Sequence, residues 1–203
     1  MDRERLDQQF DFIKEIDKEK FIQRQTRLSD NVRRENDAEH AWHMAIMTVL
    51  LSEYANEKID VLRTVTMLLI HDIVEIDAGD TYAYDEEGLK TQRERECQAA
   101  DRIYALLPED QQSKLRDIWE EFEAGETPEA KFAHTMDNLQ PAMLNVVNNG
   151  VSWKEHGIAI SQSMKRNAHT AEGSQVLWDY AYENFFKKNI DDGNIIDDSK
   201  KMY

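Results

Sequence analysis

The segment from Val61 to Ile70 is almost wholly apolar, and it leads directly into the pair His71-Asp72. Apart from Arg63 and two threonines, every residue of the segment is hydrophobic, which predicts a buried helix. A charged group in such surroundings is strongly destabilising unless it is paired or bound to a metal. The fold must therefore bring partners to a histidine and a carboxylate at the end of a core element.

The residues after this pair add further groups that bind metals or move protons. If the helix continues, Glu75 lies three and four residues after the pair and shares its face. Gly79 is placed to end that helix, and Asp80 and Thr81 then follow at the edge of the expected cavity. An isolated His-Asp pair is more often a hydrogen-bonded core histidine with its partner, so the rest of the chain has to decide its role.

Helix-forming residues dominate the chain. Only 7 glycines and 3 prolines occur among 203 residues, and this scarcity of helix breakers predicts an all-α fold. Periodicity predicts helices near 5–17, 36–55, 60–78, 89–107, 110–124, 127–149, 157–168 and 172–188. The length suits one domain, which we expect over residues 1–188, followed by an acidic and frayed tail over residues 189–203.

The formal net charge of −16 repels polyanions, so we expect no nucleic-acid partner. A small anion needs a local group of basic residues. The arginine-rich connection over residues 18–36, which contains Arg24 and Arg27, is the candidate; the alternative is a solvated loop whose arginines pair with neighbouring acids. A lone cysteine, Cys97, suits a reducing cytosol. The longest apolar stretch is too short to cross a membrane, so we expect a cytoplasmic protein without a membrane partner.

Four candidate metal ligands, His40, His71, Asp72 and Asp137, lie on three predicted helices. His40 follows a capping box that begins at Asn36, and Asp137 precedes Pro141, which is expected to kink its helix. Two imidazoles and two carboxylates suit one divalent ion such as Co, Mn, Zn, Fe or Ni, with positions left open for water and substrate.

This order of His, His-Asp and Asp resembles the HD-domain metal-dependent phosphohydrolases, and within them the bacterial 5′-deoxynucleotidases and the small HD-domain-containing proteins. The shared motifs are Asn31-Val32-Arg33, Glu39-His40, His71-Asp72-x-x-Glu75, Gly79-Asp80, Lys90/Arg93/Glu94, Leu107-Pro108-Glu109, Ala130-Lys131-Phe132 and Asp137. The resemblance extends from about residue 21 to residue 144. It implies a single HD-domain helical bundle with the metal site in that range.

The resemblance also implies roles for individual residues. His40, His71, Asp72 and Asp137 would hold one metal ion, with Mg added to the possible ions. Glu75 would activate or orient the attacking water. Asp80 would hold the substrate sugar or water network, with Thr81 beside it. Arg24 would contact the phosphate, and Arg27 competes for that role, because the Arg-Trp of the deoxynucleotidases is replaced here by Arg24-Gln25.

The activity that the resemblance implies is hydrolysis of (deoxy)nucleoside 5′-monophosphates to a nucleoside and phosphate, by a homodimer. Two alternatives remain open from the sequence. One is an HD-type hydrolase of nucleoside triphosphates or phosphodiesters. The other is a non-catalytic binding or regulatory module that contains a metal. The proline that follows Gly-Asp in the deoxynucleotidases is absent here, which leaves base and sugar preference open.

Overall fold

The computed structural model describes residues 3–198, apart from the side chain of Glu86. The predicted all-α class is confirmed, with one small sheet added. The helices are α1 (Arg3–Ile16), α2 (Asp37–Leu51), α3 (Val61–Ile70), α4 (Glu75–Ala78), α5 (Glu86–Tyr104), α6 (Glu109–Ala124), α7 (Pro128–Val147), α8 (Val151–His156), α9 (Ile160–Arg166), α10 (Thr170–Gly173), α11 (Gln175–Ala181) and α12 (Lys188–Asp191). Short 3₁₀ turns lie at Asp17–Phe21, Ser52–Tyr54 and His71–Val74, and a π-helical turn at Tyr182–Lys187 joins α11 to α12. No helix within residues 3–198 has the length and apolar composition that a membrane crossing requires.

The central element is α7, which packs against α2, α3, α6 and α10. Twelve of its 20 residues are buried, so this helix faces protein on most sides. Thr127 caps its first turn by accepting a hydrogen bond from the Ala130 amide, and Pro128 occupies its first position. Pro141 lies inside α7 without ending it. Polar residues on α7 are therefore carried into the interior, where they need partners.

The connection predicted over residues 18–36 is not a loop. Strands β1 (Gln23–Arg27) and β2 (Arg34–Asn36) pair antiparallel within it. Asn148, just after α7, donates hydrogen bonds to the carbonyl oxygens of Arg27 and Leu28 at 3.1 and 2.9 Å. The short hairpin is thus fixed to the body of the protein by a residue far away in sequence, which periodicity could not reveal.

The chain after residue 188 is also more ordered than predicted. Asn189, Asn194 and Ile195 are buried. The Ile196 amide donates to the Ile158 carbonyl at 2.9 Å, and the Ile160 amide donates to the Ile196 carbonyl at 3.0 Å. Over residues 189–196, part of the tail expected to be frayed, these backbone bonds and one buried isoleucine dock the chain beside α9. Residues 199–203 lie outside the described range.

The contact between α10 and α7 leaves no room for a side chain at Gly173. A Cβ there would overlap the Lys131 carbonyl oxygen and the Thr135 hydroxyl. Because the carbonyl is main chain of the central helix, Gly173→Ala is expected to lower the free energy of unfolding by about 3 kcal/mol. Urea denaturation measures this loss.

Gly193→Ala is the matched control, because the added methyl group has open space and only the left-handed backbone (φ 72°) is strained. Its expected cost is about 1 kcal/mol. Equal losses for the two variants would contradict the proposed overlap at the interface of α10 and α7.

Candidate active site

The α-helical hydrogen-bond pattern of α3 stops at Ile70, and a 3₁₀ turn follows over His71–Val74. Tyr104 donates its hydroxyl to the Ile70 carbonyl at 3.2 Å, and Trp119 donates its indole N–H to the His71 carbonyl at 3.2 Å. These donors satisfy carbonyls that a tighter turn leaves free. Residues three apart align in a 3₁₀ turn, so Glu75 follows in line with Asp72. The sequence predicts a continuous α-helix here, and this prediction is wrong for residues 71–74.

Side chains from α2, this turn and α7 meet at the end of α3. His40, His71 and Asp72 each offer a possible ligand atom, and these atoms lie within 4.8 Å of one another. The Nε2 atom of His71 is 3.0 Å from Asp72 Oδ1, and that of His40 is 3.1 Å from Asp137 Oδ1. The four residues predicted as ligands therefore form one cluster in the fold: His40, His71, Asp72 and Asp137.

The outer nitrogen of each histidine is held by a carbonyl oxygen. His71 Nδ1 lies 3.0 Å from the Leu68 carbonyl, and His40 Nδ1 lies 2.9 Å from Gln140 Oε1. Since carbonyl oxygens only accept, Nδ1 of each ring carries a proton and Nε2 faces the cluster. This arrangement is typical of metal-binding histidines.

One buried nitrogen supports a metal directly. His71 Nε2 makes no hydrogen bond to any described residue, although Asp72 Oδ1 is near. Burial lowers the pKa of His71, but the Asp72 carboxylate outweighs it and raises that pKa to about 9. A divalent ion at Nε2 has to compete with this raised proton affinity. The donor set and the orphaned nitrogen fit a divalent metal.

Buried acids outnumber the basic groups around this cluster. Asp37 is fully buried, and burial, with Asp72 nearby, raises its pKa to about 7. Burial raises the pKa of Glu75 well above its usual range, and Asp72 adds to the effect. Glu75 Oε2 and Asp37 Oδ2 have no hydrogen-bond partner among the described residues. Such an excess of carboxylates is stabilised by a cation bound among them.

The structure separates the two arginines that the sequence analysis considered for phosphate. The Arg24 side chain is 15% exposed, and its Nη1 lies 2.7 Å from Asp72 Oδ2 and 3.3 Å from Asp37 Oδ1. Arg27 instead pairs with Glu155 at 2.9 Å and does not line the cavity. The structure therefore does not bring Arg27 to the cavity: it is three residues beyond Arg24 on β1, so its side chain leaves the strand on the opposite face.

A cavity of about 510 Å³ opens onto the cluster, a size that suits a nucleotide. Of the predicted ligands, His71, Asp72 and Asp137 line it, and its lining also includes Arg24, Glu75, Asp80, Thr81, Tyr82 and Arg166. Thr81 accepts a hydrogen bond from Arg95 at 2.7 Å, which fixes the segment after Gly79. Tyr82 packs against Tyr84 and His156, with ring centroids 5.3 and 4.6 Å away. The cavity lining thus contains both aromatic and charged side chains.

The family model for the HD domain matches residues 16–178. The chain belongs to the HD-domain family. In this HD domain the residues predicted as ligands are the histidine of α2, the adjacent His-Asp of the 3₁₀ turn and the aspartate of α7.

The HD domain is similar along nearly its whole length to a solved structure. A crystal structure of a predicted metal-dependent phosphohydrolase from Magnetospirillum magnetotacticum MS-1 superposes with a TM-score of 0.90 at 46% identity, covering 94% of this chain and 95% of that one. Among curated proteins, human 5′-deoxynucleotidase HDDC2 is 30% identical over 130 residues, which are 64% of this chain and 62% of the relative. The 5′-deoxynucleotidase hdd1 of Schizosaccharomyces pombe is 26% identical over 110 residues, 52% of this chain and 54% of the relative. The HD domain thus spans less than two thirds of these curated relatives.

Two residues that lie at this site, Asp37 and Arg166, were not among those predicted from the sequence. Asp37 was treated only as part of a helix start, although its spacing of three residues from His40 puts both on one face of α2. Arg166 carries no motif at all, and its Nη2 lies 3.0 Å from Asp137 Oδ2. The spacing between Asp37 and His40 could have predicted the role of Asp37, whereas the position of Arg166 depends on how α9 packs.

Proposed function

We propose that this protein is a metal-dependent phosphomonoesterase that hydrolyses (deoxy)nucleoside 5′-monophosphates to a nucleoside and inorganic phosphate. The observation that carries the proposal is the convergence of two histidine Nε2 atoms and two aspartates beside the half-buried Arg24, on a cavity of nucleotide size. The relatives named 5′-deoxynucleotidase support this substrate class.

The residues that would hold one divalent ion are His40, His71, Asp72 and Asp137. Co, Mn, Zn, Fe, Ni and Mg all suit this mixed nitrogen and oxygen set. When bound, the ion lowers the pKa of a water molecule and polarises phosphoryl oxygens. Arg24, held in place by Asp72 and Asp37, presents its remaining N–H groups to the phosphate oxygens.

Glu75 is the group that would accept the proton of the attacking water and pass it to the leaving oxygen. Its buried Oε2 has no partner among the described residues, and burial raises its pKa, which makes the carboxylate a stronger base. Glu75 takes the proton of the attacking water as the new P–O bond forms. The bond from phosphorus to the 5′ oxygen breaks, and that oxygen leaves with the proton as the nucleoside hydroxyl.

Asp80 and Thr81 are the residues we assign to the sugar end of the substrate. Both line the cavity. Asp80 is half-buried, and this burial raises its pKa. A carboxylate packed against the 2′ carbon would leave no space for a ribose hydroxyl, and this steric exclusion would favour a deoxy sugar.

The test of the function is release of phosphate from a panel of deoxyribonucleoside and ribonucleoside 5′-monophosphates and triphosphates. Metal-stripped protein is compared with protein given Mn, Co, Mg or Zn. We expect metal-dependent phosphate release from the monophosphates. Pyrophosphate or triphosphate as product would replace the proposal with a triphosphate hydrolase. No product from metal-loaded protein would indicate a binding module.

We also propose that the protein is a cytoplasmic homodimer that associates through α2. Its outer face exposes a stripe of apolar side chains at helical spacing, and neighbouring α3 exposes two leucines: Trp42, Ile46, Val49 and Leu50, with Leu62 and Leu69. Trp42 is 63% exposed. A continuous apolar stripe of this kind is typical of a protein interface, and a second copy of the chain offers a matching surface.

The variant Trp42→Glu is expected to convert the dimer to a monomer, because two carboxylates would be brought into an apolar contact. Size-exclusion chromatography with light scattering gives the mass. Val176→Glu, at another exposed apolar position on α11, should leave the mass unchanged. A wild-type protein of monomer mass would remove the assignment.

A further inference from the structure

Each aspartate of the cluster is bound on both sides. Asp72 has Oδ1 near His71 and Oδ2 on Arg24 at 2.7 Å. Asp137 has Oδ1 near His40 and Oδ2 on Arg166 at 3.0 Å. Two guanidinium groups therefore approach the cluster through the outer oxygens of two different carboxylates, one from β1 and one from the end of α9.

Arg24 and Arg166 differ in the exposed fraction of their side chains. The Arg24 side chain is 15% exposed, whereas that of Arg166 is 40% exposed and lines the same cavity. Among the described residues, Asp137 is the hydrogen-bond acceptor of Arg166. A guanidinium has five N–H donors, so Arg166 retains donors that face the cavity.

We propose that Arg166 is a second phosphate-binding residue, which contacts the phosphoryl group together with Arg24; this proposal rests on the proposed function. A phosphomonoester dianion carries more acceptor oxygens than one guanidinium can bind. The surrounding carboxylates would repel it, and a second fixed cation offsets that repulsion. Asp137 orients the Arg166 guanidinium, as Asp72 orients that of Arg24.

The competing explanation is that Arg166 only positions Asp137 for the metal. Two binding measurements separate the roles: titration of metal-stripped protein with Mn, and calorimetric titration of Mn-saturated protein with inorganic phosphate. For Arg166→Gln we expect phosphate affinity to fall by about 10- to 100-fold, the loss of hydrogen bonds to a charged group. Affinity for Mn should stay within about threefold, because the role assigned to Arg166 lies in phosphate binding. Arg166→Lys should recover part of the phosphate affinity, since it restores the charge without the planar fork.

Arg63→Gln is the matched control. The Arg63 side chain is 41% exposed, donates to Glu121 of α6 at 2.8 Å, and lies outside the cavity. Both affinities should be unchanged in this variant.

The outcomes for Arg166→Gln are decisive without an assay of turnover. Loss of Mn affinity by tenfold or more, with phosphate affinity at saturating Mn unchanged, would overturn the proposal in favour of a positioning role. Equal phosphate affinity of wild type and variant would overturn it as well, as would a wild type that does not bind phosphate. If the wild type binds phosphate, loses this binding in the variant, and hydrolyses no nucleotide, the phosphate site stands and only the proposed function fails. With an active enzyme, the variant should raise KM more than it lowers kcat.

Discussion

Replacing Asp72 by Asn is expected to abolish metal binding and to lower phosphate release by about 10³-fold or more. The substitution keeps the volume of the side chain but removes a charge that lies 3.0 Å from His71 Nε2 and 2.7 Å from Arg24. Several kcal/mol of transition-state stabilisation by the ion would be lost with it, and about 1.4 kcal/mol corresponds to each tenfold change in rate. Metal content after dialysis against Mn, together with the phosphate assay, measures both effects.

The control for this substitution is Asp77→Asn. Asp77 is five residues further along the chain and pairs with Arg102 at 2.8 Å, outside the cavity. The same charge is removed from an aspartate–arginine pair on the surface, so metal content and activity should remain near wild type. An Asp72→Asn protein that retains one equivalent of metal would exclude Asp72 as a ligand. Circular dichroism of both variants establishes that the fold is intact.

Replacing Glu75 by Gln is expected to lower kcat by about 10²- to 10⁴-fold, the range associated with loss of a general base. The amide cannot take the proton of the attacking water. Because Glu75 is not one of the four proposed ligands, metal content should be unchanged. This separates its role from that of Asp72, whose replacement removes the metal itself.

The pH dependence provides a second readout for Glu75. Burial raises the pKa of its carboxyl, and a base works only when deprotonated. Wild-type kcat/KM should therefore rise with pH through the pKa that the Glu75 carboxyl has in the metal-loaded enzyme, and Glu75→Gln should lose this acidic limb. Glu75→Asp keeps a carboxylate and should recover part of the rate. A Glu75→Gln enzyme within threefold of wild-type kcat would contradict the assigned role.

The features that could be predicted from the sequence are those set by neighbouring residues. Asn36 accepts a hydrogen bond from the Glu39 amide in the predicted capping box, which fixes the start of the helix carrying His40. Gly79 ends α4 with a positive φ of 75°. Helical spacing and the family motifs then sufficed to select the four candidate ligands, and the fold brings them together.

The features that could not be predicted depend on residues distant in the chain. The 3₁₀ turn at His71 exists where Tyr104 and Trp119, from later helices, supply donors to its carbonyls. The docking of Ile195 depends on pairing beside α9. Arg166 reaches Asp137 only because α9 packs over the cavity. None of these contacts is visible in the hydrophobic periodicity of the sequence.

The hairpin that carries Arg24 has a wider consequence. Asn148 donates hydrogen bonds to the carbonyl oxygens of Arg27 and Leu28 at the end of this hairpin. It is 121 positions beyond Arg27 in the chain and directly follows the helix that bears Asp137. The residue that holds this hairpin and the last aspartate of the cluster therefore belong to one continuous stretch of chain. A substitution of Asn148, which is not a candidate ligand, is expected to displace the hairpin and with it the Arg24 guanidinium.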